Sequence, residues 1–418
     1  MKRILACSFA LLAPGLAAPL RAEPVYVPVV EAREPGGQQL ATRLWISNFD
    51  GVERSYAAVG DSETGLLEIE RSGELAVNAW IESGRGRRTF YAGVPVISEA
   101  NRLAAGAAAY LNGLARDGQR EVTSLELVNV GREPAQCQVD FLRADGSEIG
   151  AGVAVDVPAL SMRPFDDALG LGSEPETASA RVSCDQAFYA YALAADQASG
   201  EISFVTPETA FSAVAAPRAL RSKAVGTAKT TIVFTQSGRF HYATKEHAKA
   251  ILRIPVPHAM NAARVTAELD FVAGPWNPRM KNGAHNLLFF HRGRFRSNTL
   301  ANVNAFGPKK NLFKMNQNLD MPAGWNTQAE VGFTFVHGQR YHVKVVQDAV
   351  TRTIELTLSQ GGQTLRTLRF GGSVKGGAIE VPASGLVAEF GNYNNQGLPE
   401  VSSLAFAYEN FRAEVIEK

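Results

Sequence analysis

One short segment near the C-terminus constrains the architecture of the chain more than any other. In Thr353-Ile-Glu-Leu-Thr-Leu-Ser, the residues Ile354, Leu356 and Leu358 alternate with Thr353, Glu355 and Thr357. A period of two puts one set of side chains on a buried face and the other on a wet face of an extended strand. With the preceding Arg340-Tyr-His-Val-Lys-Val-Val, it predicts an antiparallel hairpin. Comparable runs recur: Thr231-Ile-Val-Phe-Thr and Arg239-Phe-His-Tyr around a Ser-Gly turn, Ala250-Ile-Leu-Arg-Ile-Pro-Val, Arg264 to Val272, Asn286 to His291, Leu386 to Asn392 and Leu404 to Ile416. Gln360-Gly-Gly-Gln turns the chain into a further strand ending near Phe370. Helical periodicity is almost missing, so the chain reads as all-β. The alanine-rich stretch from Ser98 to Leu114 reads as a short helix or as a loop followed by a strand.

A length of 418 residues calls for two or three domains. The first half carries an internal echo. Ala32-Arg33 through Leu44-Trp-Ile-Ser-Asn48 aligns with Ala115-Arg116 through Leu125-Glu-Leu-Val-Asn129 after one two-residue gap. Leu44 and Ile46 correspond to Leu125 and Leu127, alternate, and are expected to face a core. Trp45 then faces away, toward a neighbouring module or a ligand. A second echo relates the segment ending at Ile81 to the one ending at Leu193. The spacing predicts two β-sandwich modules, near 24–100 and 101–209.

Charge and histidine divide the chain. Residues 215–418 hold 25 Lys/Arg against 13 Asp/Glu and all seven histidines, although the whole chain is near neutrality at +1. The preceding part is acidic. Residues 210–229 are small, contain one proline and no acid, and read as an interdomain linker. Residues 1–22 read as a secretory signal: Lys2 and Arg3, an apolar run from Ile4 to Ala18, and small residues before cleavage at Ala18 or Ala22. The expectation is an exported protein, periplasmic or extracellular, with no transmembrane segment after cleavage. Export leaves Cys137 and Cys184, expected to form one disulfide. No histidine lies in that half to activate a catalytic cysteine.

The Val-Pro-Val-Val…Ala-Arg…Leu-Trp-Ile-Ser-Asn pattern of the acidic half resembles the tandem immunoglobulin-like repeats of secreted bacterial proteins. In the basic half, the hairpin Tyr341–Leu358, the segment Ala388-Glu-Phe-Gly-Asn-Tyr and the closing Tyr408-Glu-Asn-Phe-Arg-Ala-Glu resemble a concanavalin A-like lectin/glucanase (laminin-G-like) sandwich over residues 230–418. The resemblance implies two tandem immunoglobulin-like β-sandwiches followed by a jelly roll. It also implies ligands on a concave sheet or its rim loops, in a family holding carbohydrate binders, adhesion modules, glycosidases and lyases.

Retaining glycoside hydrolysis needs two facing carboxyl groups. Glu268 and Asp270 share a strand face, but position 273, where the glucanase pattern places a third acid, is Ala273. A lyase needs a group that neutralises the sugar carboxylate and a His or Tyr that moves protons. His291 or His342 with Tyr341 are the candidates for that alternative. The cluster Arg292, Arg294, Arg296, Lys309, Lys310 and Lys314, interleaved with Phe295, Phe306 and Phe313, has the composition of a phosphate-binding, base-stacking surface, yet an exported chain meets acidic glycans and anionic surfaces more readily. The expectation is therefore a non-catalytic binding or adhesion protein with no cofactor and no metal. Its ligand is a glycan or an anionic surface, bound by residues 230–418 through Trp276, His291, Arg292, Arg294, Arg296, Asn392, Tyr393 and Asn394. The acidic repeats would serve as a stalk or a protein-partner surface. The alternatives left open are a lyase-type enzyme on an acidic polysaccharide and a structural surface component.

Overall fold

The computed structural model describes residues 23–30, 40, 42–48, 53–55, 64–71, 75–85, 87–99, 101–115, 121–165, 177–196, 200–212, 230–240, 249–274, 284–291, 299–306, 311–317, 327–371, 379–383, 385–392 and 406–418. The signal-type segment and residues 213–229 of the expected linker lie outside them. Every regular element among the described residues is a strand, and none of them forms a helix able to cross a membrane. The chain divides into two compact units, Met1–Arg85 with Ala92–Arg221, and Gly86–Tyr91 with Ser222–Lys418.

The strands of the N-terminal half are β1 (Glu23–Pro28), β2 (Thr42–Asn48), β3 (Glu53–Ser55), β4 (Leu66–Arg71), β5 (Leu75–Arg85), β6 (Arg88–Val94), β7 (Ala108–Ala115), β8 (Glu121–Asn129), β9 (Ala135–Leu142), β10 (Val153–Val157), β11 (Ser161–Phe165), β12 (Thr177–Cys184), β13 (Phe188–Asp196) and β14 (Glu201–Val205). The described residues of 98–107 precede β7 without forming a helix. Two four-stranded antiparallel sheets, β10-β9-β12-β7 and β11-β8-β13-β14, face each other across one core. Leu125 and Leu127 of β8 point into it, as their alternation predicts, against Val139, Phe141 and Val182 of the opposite sheet. Cys137 and Cys184 are register partners on the adjacent strands β9 and β12 and are joined by the disulfide, which lies within this core.

The internal repeat is a repeat of pairing. β1 pairs β4 as β7 pairs β12, and β3-β2-β5 follows the order of β11-β8-β13. Asn48 opposes Leu75, and Asn129 opposes Phe188. The second sequence echo is therefore one residue out of step: Trp80 is the counterpart of Leu193, and both are 6% exposed. Trp80 is thus a packing residue; the Trp45 side chain lies outside the described residues. The asparagine that closes the motif has a structural role in the second copy. Buried Asn129 accepts from Gly131 N at 2.8 Å through Oδ1, while its Nδ2 reaches the carbonyls of Glu133, Val157 and Pro158 at 2.8–3.1 Å. One side chain thereby ties the β8–β9 and β10–β11 connections and satisfies the buried carbonyl of Val157.

The second unit contains β15 (Thr231–Phe240), β16 (Lys249–Ile254), β17 (Met260–Val272), β18 (Ala284–His291), β19 (Thr299–Phe306), β20 (Leu312–Gln317), β21 (Thr327–Gly332), β22 (Arg340–Asp348), β23 (Thr353–Gln360), β24 (Gln363–Gly371), β25 (Ile379–Val381), β26 (Leu386–Asn392) and β27 (Ala407–Glu417). One sheet runs β24-β23-β22-β17-β27-β15, with β25 also on β17; the other runs β16-β26-β18-β19-β20-β21. The predicted hairpin is β22–β23, with Asp348 opposite Thr353. An aromatic core joins the sheets. Phe390 of β26 meets Phe240 at 5.0 Å, and Tyr408 and Phe411 at 5.4 Å, between ring centroids. Buried Tyr408 donates its hydroxyl to Asn286 O at 2.8 Å, and burial raises its pKa, which keeps that proton in place.

The two strands expected around the Ser-Gly turn are one strand, β15. Gln236 opposes Phe411 and Arg239 opposes Glu409, so both segments pair with β27 across a bulge. Gly238, at φ 67°, takes up the extra residue, and its N–H donates to Asn410 Oδ1 at 2.9 Å. A left-handed glycine in a strand marks a bulge as readily as a turn. Strands β19, β20 and β21 were not anticipated from sequence; Phe313, grouped there with a base-stacking surface, is fully buried on β20 and packs on Phe335. Lys314 of the same cluster faces Glu330 at 3.9 Å.

Candidate functional site

A cluster of charged side chains of the second unit lies on the face of β15-β27-β17-β22 opposite the aromatic core. Strand alternation produces this division. On β17, Leu269 and Phe271 enter the core, while Glu268 and Asp270 take the other face. On β22, Tyr341 and Val343 go inward, while Arg340, His342 and Lys344 go outward. Antiparallel register then sets Lys344 opposite Glu268 and His342 opposite Asp270. Glu409 arrives from β27, opposite both Asp270 and Arg239.

Each of these acids is engaged. Lys344 Nζ lies 3.0 Å from Glu268 Oε2. Asp270 accepts from His342 Nδ1 at 2.9 Å and from Asn410 Nδ2 at 3.0 Å. An ionised carboxylate only accepts, so Nδ1 carries the imidazole proton and Nε2 is left 3.9 Å from Glu268 Oε2. Glu409 accepts from Arg239 at 3.1–3.2 Å on Oε1 and from Arg340 at 2.7 Å on Oε2. The acids form a buried floor, with Glu268 at 6% and Glu409 at 5% exposed, and the cations form the outer layer.

Burial by itself raises the pKa of Asp270; the bonds from His342 and Asn410 outweigh it, and the carboxyl titrates below the usual aspartate value. A depressed folded-state value contributes stability above the unfolded value, near 3.9, which is lost as pH falls through the folded value. Asp270→Asn is accordingly expected to cost about 1–2 kcal/mol at pH 7. The difference from wild type is expected to shrink below about pH 4. Urea unfolding of both proteins from pH 7 to pH 2.5 tests this, and a pH-independent difference would contradict it.

The geometry bears on the catalytic alternatives. Tyr341 and His342 point to opposite faces: Tyr341 is buried among Phe271, Phe333 and Phe335, and its hydroxyl oxygen accepts from Val336 N at 3.0 Å. They are not brought together as a proton-transfer pair. Glu268 and Asp270 do share a face, but Asp270, held below the usual aspartate range by the bonds from His342 and Asn410, is a poor proton donor.

Of the ligand-binding candidates, Trp276, Arg292, Arg294, Arg296, Tyr393 and Asn394 lie outside the described residues, and His291 and Asn392 are described by backbone alone. His291 opposes Val387, and His285 opposes Asn392. His291 and Asn392 thus sit toward opposite ends of the β18–β26 pairing, separated by about 17 Å along the strand. The ladder on β15-β27-β17-β22 was legible only in part. Alternation placed Glu268 with Asp270, but Glu409, Asn410 and Arg239 carried no local signal.

No family model matches the chain, and no curated protein matches it. Among solved structures, it is similar to basic winged bean lectin with Tn-antigen, at 12% identity and TM-score 0.30, covering 44% of this chain and 98% of that one. It is also similar to lectin II from Ulex europaeus, at 12% identity and TM-score 0.29, covering 44% of this chain and 92% of that one. A third is the Ruminococcus gnavus IT-sialidase CBM40 bound to alpha2,3 sialyllactose, at 9% identity and TM-score 0.23, covering 40% of this chain and 90% of that one. Likeness at this level carries no inference about family or ligand.

Proposed function

We propose that this chain is an exported, non-catalytic binding protein whose C-terminal sandwich, residues 230–418, engages a glycan or an anionic surface ligand. The observation that carries this reading is the use of the acids on the outer face of β17 and β27. Glu268, Asp270 and Glu409 are each bound by a cation or an amide. The described face therefore offers hydrogen-bond donors to a ligand, above acids already engaged by partners on the same sheet. The excess of Lys/Arg over Asp/Glu in residues 215–418 supports an anionic or polyhydroxylated ligand. In this reading the fold is two tandem immunoglobulin-like sandwiches, 24–100 and 101–209, a linker at 210–229, and a concanavalin A-like jelly roll. Rim residues Trp276, His291, Arg292, Arg294, Arg296, Asn392, Tyr393 and Asn394 supply ligand contacts, and the acidic repeats supply a stalk or a protein-partner surface.

The test uses the full chain on a glycan array holding neutral and acidic saccharides, read at low and physiological salt. Binding to a defined saccharide subset is expected; silence at low salt would refute the reading. Alginate, pectate and hyaluronan incubated with the same protein are expected to yield no unsaturated-product absorbance, and its appearance would establish a lyase instead.

A further inference from the structure

We infer that Arg239 and Arg340 form a docking site for a polyanionic saccharide on the sheet face itself, separate from the rim residues; this rests on the glycan-binding reading. Glu409, with its side chain 7% exposed, takes Arg239 on Oε1 and Arg340 on Oε2. The two guanidinium groups come from strands on either side of the β27–β17 pair and are held by a single buried anion. Their side chains are 61% and 55% exposed. One carboxylate thus holds two guanidinium groups at the surface, one on each of its oxygens.

A guanidinium carries five N–H donors. Arg239 spends Nε and Nη2 on Glu409, and Arg340 spends Nη2. The remaining donors are available to a second, external acceptor, and carboxylate and sulfate groups match the guanidinium fork. Anchoring also restricts the two long side chains before any ligand arrives, which lowers the ordering cost of binding. Along β22, Arg340, His342 and Lys344 repeat on the same face at intervals of about 6.8 Å. Arg340 and Lys344 carry the charge of that row, and a polymer reaches both more readily than a single small anion does.

The experiment uses the full-length protein with dextran sulfate and polygalacturonate, and neutral dextran as comparison. Arginine modification by phenylglyoxal, read by mass spectrometry, is expected to be slowed at Arg239 and Arg340 by both polyanions and not by dextran. The variant Arg239→Gln/Arg340→Gln/Glu409→Gln removes the buried acid together with its partners, so no charge is orphaned. It is expected to bind both polyanions about a hundredfold more weakly, at about tenfold per guanidinium. The footprint on wild-type protein stands even if that variant does not fold. Protection confined to Arg292, Arg294 and Arg296, or binding to neutral glycans alone, would overturn this site and leave the glycan-binding reading intact. Failure to bind any saccharide would overturn both. Retention of an acidic protein but neither polysaccharide would also overturn this site.

Discussion

Replacing Cys137 and Cys184 together with alanine is expected to lower the unfolding free energy of the first unit by about 4 kcal/mol. The two cysteines are 47 residues apart, and closing a loop of that size removes chain entropy from the unfolded state. Between them lie β10 and β11, which belong to different sheets of the sandwich, so the bond restrains the part of the chain that crosses from one sheet to the other. In the folded state the cysteines already face each other across β9–β12, are 4% and 3% exposed, and sit among Val139, Phe141 and Val182. Alanine keeps the strand pairing and leaves small voids, so the unfolded-state effect dominates. Urea unfolding followed by circular dichroism, on the alanine pair and on reduced wild type, should give the same loss. A loss below about 1 kcal/mol would show that the unfolded chain is already restricted without the bond.

Phe271→Ala is expected to destabilise the second unit by a similar amount, about 4 kcal/mol. Phe271 is fully buried on β17. Its ring stacks on Phe406 at 5.8 Å with 7° between planes and on Tyr341 at 5.5 Å, and packs tilted on Phe335 at 5.8 Å. Phe335 in turn meets Phe313 of the opposite sheet at 6.2 Å, so the ring lies on the chain of contacts joining the two layers. Removing it costs the transfer free energy of the ring and leaves a cavity that the rigid sheets cannot close. Phe271→Leu fills most of the space and is expected to cost less than half as much. Denaturant midpoints of the two variants measure the difference; equal losses would mean that ring stacking, and not volume, controls this part of the core.

The fold was legible where alternation was strong. The hairpin β22–β23, the inward Leu125 and Leu127, and the cysteine pair all follow from local pattern and parity. β19–β21 are not legible in the sequence, although Val303, Ala305, Phe313 and Met315 do alternate as buried residues. Their intervening asparagines and lysine, with basic residues before them, read as a polar cluster before they read as the wet side of strands. Ser237-Gly238 is a common turn pair and by itself divides β15 into two strands; only the continued pairing with β27 identifies a bulge.

The candidate site divides in the same way. Residue types and a period of two are local properties, so the sequence by itself determined that the chain is all-β, that Glu268 and Asp270 share a face, and that Cys137 and Cys184 are available to pair. Which acid meets which cation is a matter of register between distant strands. His342 reaches Asp270 across 72 residues, Asn410 reaches Asp270 across 140, and Arg239 reaches Glu409 across 170. A slip of one residue in any of those pairings would send every side chain to the other face. That register is held by the aromatic core and the bulges of β15 and β27, so only the tertiary structure decided that the acids are buried and paired while Arg239 and Arg340 remain at the surface.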